Sequence, residues 1–177
     1  MPVDLGELFG ELIRLETELW NAVGARLRAA HGLELSWFEP MQVIERTLDC
    51  RVQDIAAALS ITVGGTSKLV DRIEAAGWCQ RRTNPGDNRS SFIELTPAGR
   101  RLLSAANGTF VEALDAQFRT ALSPRHLQQF STMVYRLRRG LRSRSARCEC
   151  YRRCSFGRLW KQWGLPHLPV GSGGPPE

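Results

Sequence analysis

No run of about 18 apolar residues occurs anywhere in this chain, which excludes a helix built to span a bilayer. The opening Met1-Pro2-Val3-Asp4-Leu5-Gly6-Glu7 lacks the basic residues of a secretory signal, so the cytoplasm is the expected location and a membrane is not an expected partner. Histidine is scarce: His31, His126 and His167 fall in no nucleophile-and-base arrangement, and no glycine-rich phosphate loop is present. Neither an enzyme nor a bound cofactor is expected. The five cysteines are odd in number and unevenly spread, which fits reduced thiols rather than a disulfide framework. Lysine is almost absent, 2 against 22 arginines, a bias that genome composition produces as readily as selection for phosphate contacts.

What is present is 177 residues, 42% hydrophobic and 24% charged, enough for one domain with a core and a tail. The formal charge of +6 suggests a polyanionic partner, but it is unevenly placed. Residues 1–135 hold 14 Lys/Arg against 16 Asp/Glu, net −2, whereas residues 136–161 hold 10 Lys/Arg against Glu149 alone, net +9. Any argument for nucleic-acid binding by the body therefore has to come from local arrangement.

Leu5, Leu8, Leu12, Leu15, Leu19, Val23 and Leu27 recur at steps of three and four, predicting a long amphipathic helix. Phe9, Ile13 and Trp20 widen its stripe beyond what one small core needs, so part of it is expected to face a second subunit. Ser36-Trp37-Phe38-Glu39 has the spacing of a capping box, predicting a second helix from Ser36 that buries Phe38, Met41, Val43 or Ile44, and Leu48, and ends near Asp49-Cys50. Val52, Ile55, Ala56 and Leu59 make a short third helix. The next begins at Thr62, turns Val63, Leu69, Val70 and Ile73 inward, and stops at Gly77. Two short helices joined by a tight turn form a helix-turn-helix.

After Gly77 the period changes. Trp78–Thr83 and Ser90–Leu95 read as strands around Asn84-Pro85-Gly86-Asp87-Asn88-Arg89, a hairpin with a long tip. Thr96-Pro97 and Ser123-Pro124 each place a cap before a proline at the first helical position. The helices they open carry Leu102, Leu103, Phe110, Leu114 and Phe118, then Leu127, Phe130, Val134, Leu137 and Leu141. Beyond residue 142 the patterning stops and the chain is basic and glycine-rich.

The second helix of a helix-turn-helix enters the major groove by its N-terminal half, here Thr62-Val63-Gly64-Gly65-Thr66-Ser67-Lys68. Gly64 and Gly65 are poor helix formers; they either relax a frayed first turn or allow close backbone approach to a phosphate. Thr66, Ser67 and Lys68 suit a reading face or a solvated one. The hairpin shifts the balance, because Arg81, Arg82 and Arg89 stand on or beside a ribbon able to reach a narrow minor groove, with Asp87 placed to brace its tip.

In the runs Val52-Gln53-Asp54-Ile55-Ala56-Ala57-Ala58-Leu59, Leu69-Val70-Asp71-Arg72-Ile73-Glu74, Asp87-Asn88-Arg89-Ser90 and Leu95-Thr96-Pro97-Ala98-Gly99, the chain resembles the MarR-type transcriptional regulators, over roughly residues 5–141. The resemblance implies a mainly α fold: a winged helix-turn-helix with a small β-hairpin wing and a helical dimerisation region. Residues 5–35 and 97–142 would supply the dimerisation helices, 36–96 the DNA-binding lobe, and 143–177 a basic tail. It also implies a homodimeric repressor on a near-palindromic double-stranded operator, released by a small lipophilic or phenolic ligand in the crevice between the two parts. Carried over by residue, Thr62, Gly64, Gly65, Thr66, Ser67, Lys68 and Arg72 would meet the major groove or its phosphates. Arg82, Asp87, Arg89 and Ser90 would belong to the wing, with Arg89 in the minor groove; Leu8, Leu12, Leu127, Phe130 and Leu137 would lie in the dimer interface.

Some members of the family sense oxidants through a cysteine near the end of the first helix, but this chain has none before Cys50. Cys50 and Cys79 read as small, partly buried apolar groups. Cys148, Cys150 and Cys154, with His167, are the one candidate metal set; their spacing matches no common zinc module, so no metal is assigned. The rival functional reading is a winged-helix protein-interaction module whose basic tail binds nucleic acid without sequence preference.

Overall fold

The computed structural model describes residues 2–86 and 90–145, the side chains of 142–145 excepted. Expectations resting on Asp87, Arg89, Cys148, Cys150, Cys154 and the tail lie outside the described residues. The chain divides after Arg138, and all the elements below belong to the first unit except residues 139–145, which end the last helix.

Helix α1 (Leu5–His31) starts where Asp4 accepts the N–H groups of Gly6 and Glu7 at 2.7 and 3.1 Å, satisfying two of the amides a helix start leaves open. It runs a turn past Leu27, and only Val23, Gly24 and Leu27 are buried. The apolar stripe ahead of them, including Leu8, Phe9, Leu12 and Ile13, is exposed.

Helix α2 (Leu35–Arg46) differs from the expectation at both ends. The carbonyl of Glu34, not the capping box at Ser36, receives the first amides, from Trp37 and Phe38 at 2.9 and 3.0 Å. The reason lies upstream: the Arg28 guanidinium grips the Glu34 carboxylate at 2.6 and 2.7 Å, and Leu35 is already in the core, so the chain enters the helix early. At the other end Thr47 is extended and Asp49 takes a left-handed φ of 49°. This turns Leu48 outward, 92% exposed rather than buried, while Cys50 lies in the core, deeper than the partial burial expected of it.

Helices α3 (Val52–Leu59) and α4 (Val63–Ala75) have the predicted extents, with Asp54 accepting the Arg51 N–H at 2.8 Å and Thr62 accepting that of Gly65 at 3.2 Å, but Val63, expected inward, is 56% exposed because it opens the helix ahead of the buried Thr66. Helix α4 closes in a Schellman motif: the amides of Gly77 and Trp78 reach back to Glu74 and Ile73, and Gly77 takes the φ of 77° this requires.

Strands β1 (Cys79–Thr83) and β2 (Ser91–Leu95) pair antiparallel in the register Cys79 to Leu95 and Thr83 to Ser91. The outer edge of β2 is held by the Ile93 N–H on the Cys50 carbonyl at 2.7 Å, which fastens the wing to the α2–α3 connection. Thr96 joins the wing to α5 (Pro97–Ala121): its hydroxyl donates to the Gly77 carbonyl at 2.7 Å and accepts the Gly99 N–H at 3.0 Å. Gly99 is required at this junction, because a Cβ there would sit 1.9 Å from the Trp78 carbonyl oxygen.

The core gathers Leu27 and Leu33, Phe38 and Met41 of α2, Ile55 of α3, Val70 and Ile73 of α4, the inward strand residues Cys79, Ile93 and Leu95, and Leu103 and Ala106 of α5. Phe38 meets Phe110 with ring centroids 4.8 Å apart. Helix α1 lies along α5, while α6 (Pro124–Ser145) approaches α5 through Phe130 and Phe118 at 6.4 Å.

Candidate nucleic-acid interface

At about 100° per residue, the buried positions of α4, Thr66, Val70 and Ile73, define one face, and Gly64, Lys68, Asp71 and Ala75 the opposite one, with Arg72 beside it. Lys68 and Arg72 are exposed, and among the described residues neither has a carboxylate within salt-bridge distance. Ser67 is half-buried at the edge of this face. Thr66 is a correction. It is fully buried and donates its hydroxyl to the Thr62 carbonyl at 2.9 Å, so it stabilises the start of α4 from within and has no access to a groove. Thr62 spends its hydroxyl on the Gly65 amide.

The arginines of β1 are engaged. Strand alternation sends Arg81 toward α4, where its guanidinium is held by Glu74 and by Asp71 at 2.6 Å, and its amide donates to Glu74 at 2.8 Å. Arg82, on the other face, donates to Asp49 at 2.8 Å and lies over the Phe92 ring, 5.1 Å from its centroid, with Arg51 at 5.3 Å from the same ring. Arg82 is therefore tied to the α2–α3 connection and braces the wing, whereas it was expected as a free DNA contact. Its carboxylate partner leaves little net charge for a phosphate. Ser90 accepts from Asn84 at 2.9 Å, and Asn84, 4% exposed, also takes the Gly86 N–H at 3.0 Å, pinning the entrance to the hairpin tip.

Comparison with known proteins shows what this arrangement is similar to. Residues 35–91 match the MarR family. The multiple antibiotic resistance protein MarR of Salmonella typhimurium is 35% identical over 46 residues, 26% of this chain and 32% of that protein. The match thus spans about a third of that curated relative. Among solved structures, Sco3205, a MarR family transcriptional regulator from Streptomyces coelicolor in complex with DNA, superposes with a TM-score of 0.71 at 21% identity, covering 80% of this chain and 93% of that one. A mutant MarR from E. coli complexed with operator DNA gives 0.68 at 18%, covering 76% and 99%. Over residues 35–91 the chain is similar to the MarR family, and its fold is that of these solved regulators.

Sequence reasoning missed the two ionic braces. Asp71 and Glu74 stand one turn apart on α4 and face the first inward arginine of the strand that follows, a spacing the sequence does display. Asp49 offered no such signal, because its role depends on a left-handed backbone at a non-glycine residue. Cys50 and Cys79 are buried, and burial first, then Asp54 and Glu74 respectively, pushes each thiol up to about 11, which keeps both protonated and unreactive. Among the described residues no group of three His, Cys, Asp or Glu side chains is placed to hold a metal ion, and no helix is long and apolar enough to cross a membrane.

Proposed function

We propose that this protein is a DNA-binding transcriptional regulator: a homodimeric repressor that sets α4 into the major groove of a near-palindromic operator and the hairpin wing against the adjacent minor groove. The observation that carries the reading is the outward face of α4, where Lys68 and Arg72 remain uncompensated while Arg81 and Arg82 nearby are paired. A fold can neutralise its own cations, as it does at the wing base; two left open on the face that a helix-turn-helix turns to DNA are suited to phosphates and base edges.

The dimer is supported by what a single chain leaves in water. Leu8 and Leu12 on α1 are 45% and 37% exposed, Leu137 on α6 is 59% exposed, and Leu127 and Phe130 are only half-buried. Residues 5–35 and 97–142 would make this interface, above about 2,000 Å² in the obligate class, and 36–96 the DNA-binding lobe. A cavity of about 420 Å³ opens where α2 ends against the wing base and the start of α5, lined by Ile44, Leu48, Phe92 and Leu95 together with Arg46 and Arg100. Its mixed lining suits a small lipophilic or phenolic ligand, and its contact with Asp49 and Arg82 gives such a ligand a way to loosen the wing and release the operator.

The test is selection of duplexes from a random library by the full chain, followed by affinity measurement with Lys68→Gln and Arg72→Gln. Each substitution is expected to weaken binding to the selected duplex by about 1–3 kcal/mol if it meets a base, or to lower the salt slope by about one if it meets a phosphate. Unchanged affinity and slope in both variants contradicts the proposal.

A further inference from the structure

The first turn of α4 is composed unlike a surface that reads bases by hydrogen bonding. Gly64 lies in the middle of the outward face, one turn ahead of Lys68, and a Cβ built on it meets nothing within 4 Å. Nothing among the described residues requires a glycine there, and glycine weakens a helix relative to alanine. Gly65 is different: its Cβ would come to 3.0 Å from the Thr62 hydroxyl oxygen that caps the helix. Beside Gly64 stand two β-branched apolar side chains left in water, Ile61 at 41% and Val63 at 56% exposure. Of the two threonines of this turn, Thr62 has its hydroxyl engaged by the Gly65 amide and Thr66 is buried.

Resting on the DNA-binding reading above, we propose that this turn recognises thymine: Ile61 and Val63 lie against thymine C5-methyl groups in the major groove, and the bare Cα of Gly64 lets the helix come close enough for that contact. The thymine methyl is the apolar group that a base pair displays in the major groove. The occupant is double-stranded DNA rather than an apolar protein surface, because Ile61 and Val63 stand at the N-terminal end of the helix whose outward face, from Gly64 onward, carries Lys68 and Arg72, neither of them paired with a carboxylate among the described residues. Recognition in this turn is then by shape and methyl contact, and hydrogen-bonding readout falls to Ser67 and Lys68 farther along.

The experiment uses the full chain and the duplex it selects most strongly from a random library, with each thymine in turn replaced by uracil, which removes the methyl and leaves the base pair intact. Affinity is expected to fall about fourfold at one or two thymines per half-site, the equivalent of ~0.8 kcal/mol for one buried methyl group. In Val63→Ala or Ile61→Ala the loss at the corresponding thymine should vanish, because the partner of the methyl is gone. Gly64→Ala should lower affinity about tenfold while its melting temperature equals or exceeds that of the parent, a combination that misfolding cannot produce. Equal affinity for thymine and uracil duplexes overturns the inference and leaves DNA binding standing. Absence of any preference for the selected duplex over a scrambled one overturns the DNA-binding reading with it.

Discussion

Replacing Gly99 by alanine perturbs one contact whose geometry is fixed on both sides. The new Cβ would stand 1.9 Å from the Trp78 carbonyl oxygen and 2.8 Å from its carbon, where real Cβ atoms do not come under 3.0 Å, so the start of α5 and the end of α4 must part by roughly 1.1 Å. The same carbonyl accepts the Thr96 N–H at 3.1 Å, and Thr96 links the segments again through Gly77 and Gly99. Losing one backbone hydrogen bond costs about 1 kcal/mol. Losing the Thr96 cap costs about 1 kcal/mol more, and residual strain about 1–3 kcal/mol. Alanine returns less than about 1 kcal/mol of helix propensity in a first turn. The net loss is about 3 kcal/mol, or a fall of roughly 10 °C in melting temperature for a body of this size. Gly108 supplies the control on the same helix, since a Cβ there meets nothing within 4 Å, and Gly108→Ala should match or exceed the parent. Both variants would be melted by circular dichroism at one protein concentration, because a dimer's midpoint depends on it. A Gly99→Ala protein that melts within about 2 °C of the parent would refute the reasoning.

Three further outcomes follow from the same arrangement. Leu137→Asp should shift the protein from dimer toward monomer in sedimentation at micromolar concentration, and a fully dimeric variant would remove α6 from the interface. Arg89→Ala should weaken operator binding by about 1–3 kcal/mol with the dimer intact, and Asp87→Ala should act less, both read by gel shift at moderate salt; unchanged affinity removes the wing contact. Burial first, and the nearby Glu16 second, raise the Glu39 carboxyl above its usual range. The folded state then holds this proton more tightly than the unfolded one. The stability it confers is full below the unfolded pKa and is lost as pH rises through the folded value. Glu39→Gln should therefore raise the urea midpoint near neutral pH and leave it almost unchanged at about pH 4, and equal gains at both would contradict the sign.

How far the sequence revealed this structure depends on whether a feature is local. Thr62, Gly77 and Thr96-Pro97 act on amides within a few residues of themselves, so the bounds of α4 and α5 were legible. Leu48 was expected inward but faces out, because α2 ends at Arg46 and Asp49 then takes a left-handed backbone, which no residue pattern announces. Thr66 misled for the opposite reason: its hydroxyl is satisfied by a carbonyl of its own helix, which lets a polar residue occupy the buried face. Arg82 was placed on the right element, but its bracing role was not legible, since its carboxylate partner Asp49 lies 33 residues away in the chain.

The central claim is that the body reads sequence and that the basic tail does not. The most direct measurement compares the affinities of the full chain and of a chain lacking residues 143–177 for the selected operator and for scrambled duplex, each at two salt concentrations. Removing the tail's cations should flatten the salt slope and lower both affinities together, because counterion release is indifferent to sequence, while the ratio of the two affinities stays nearly constant. Loss of operator preference in a truncated protein that still folds and dimerises would contradict the account and make the tail the primary site.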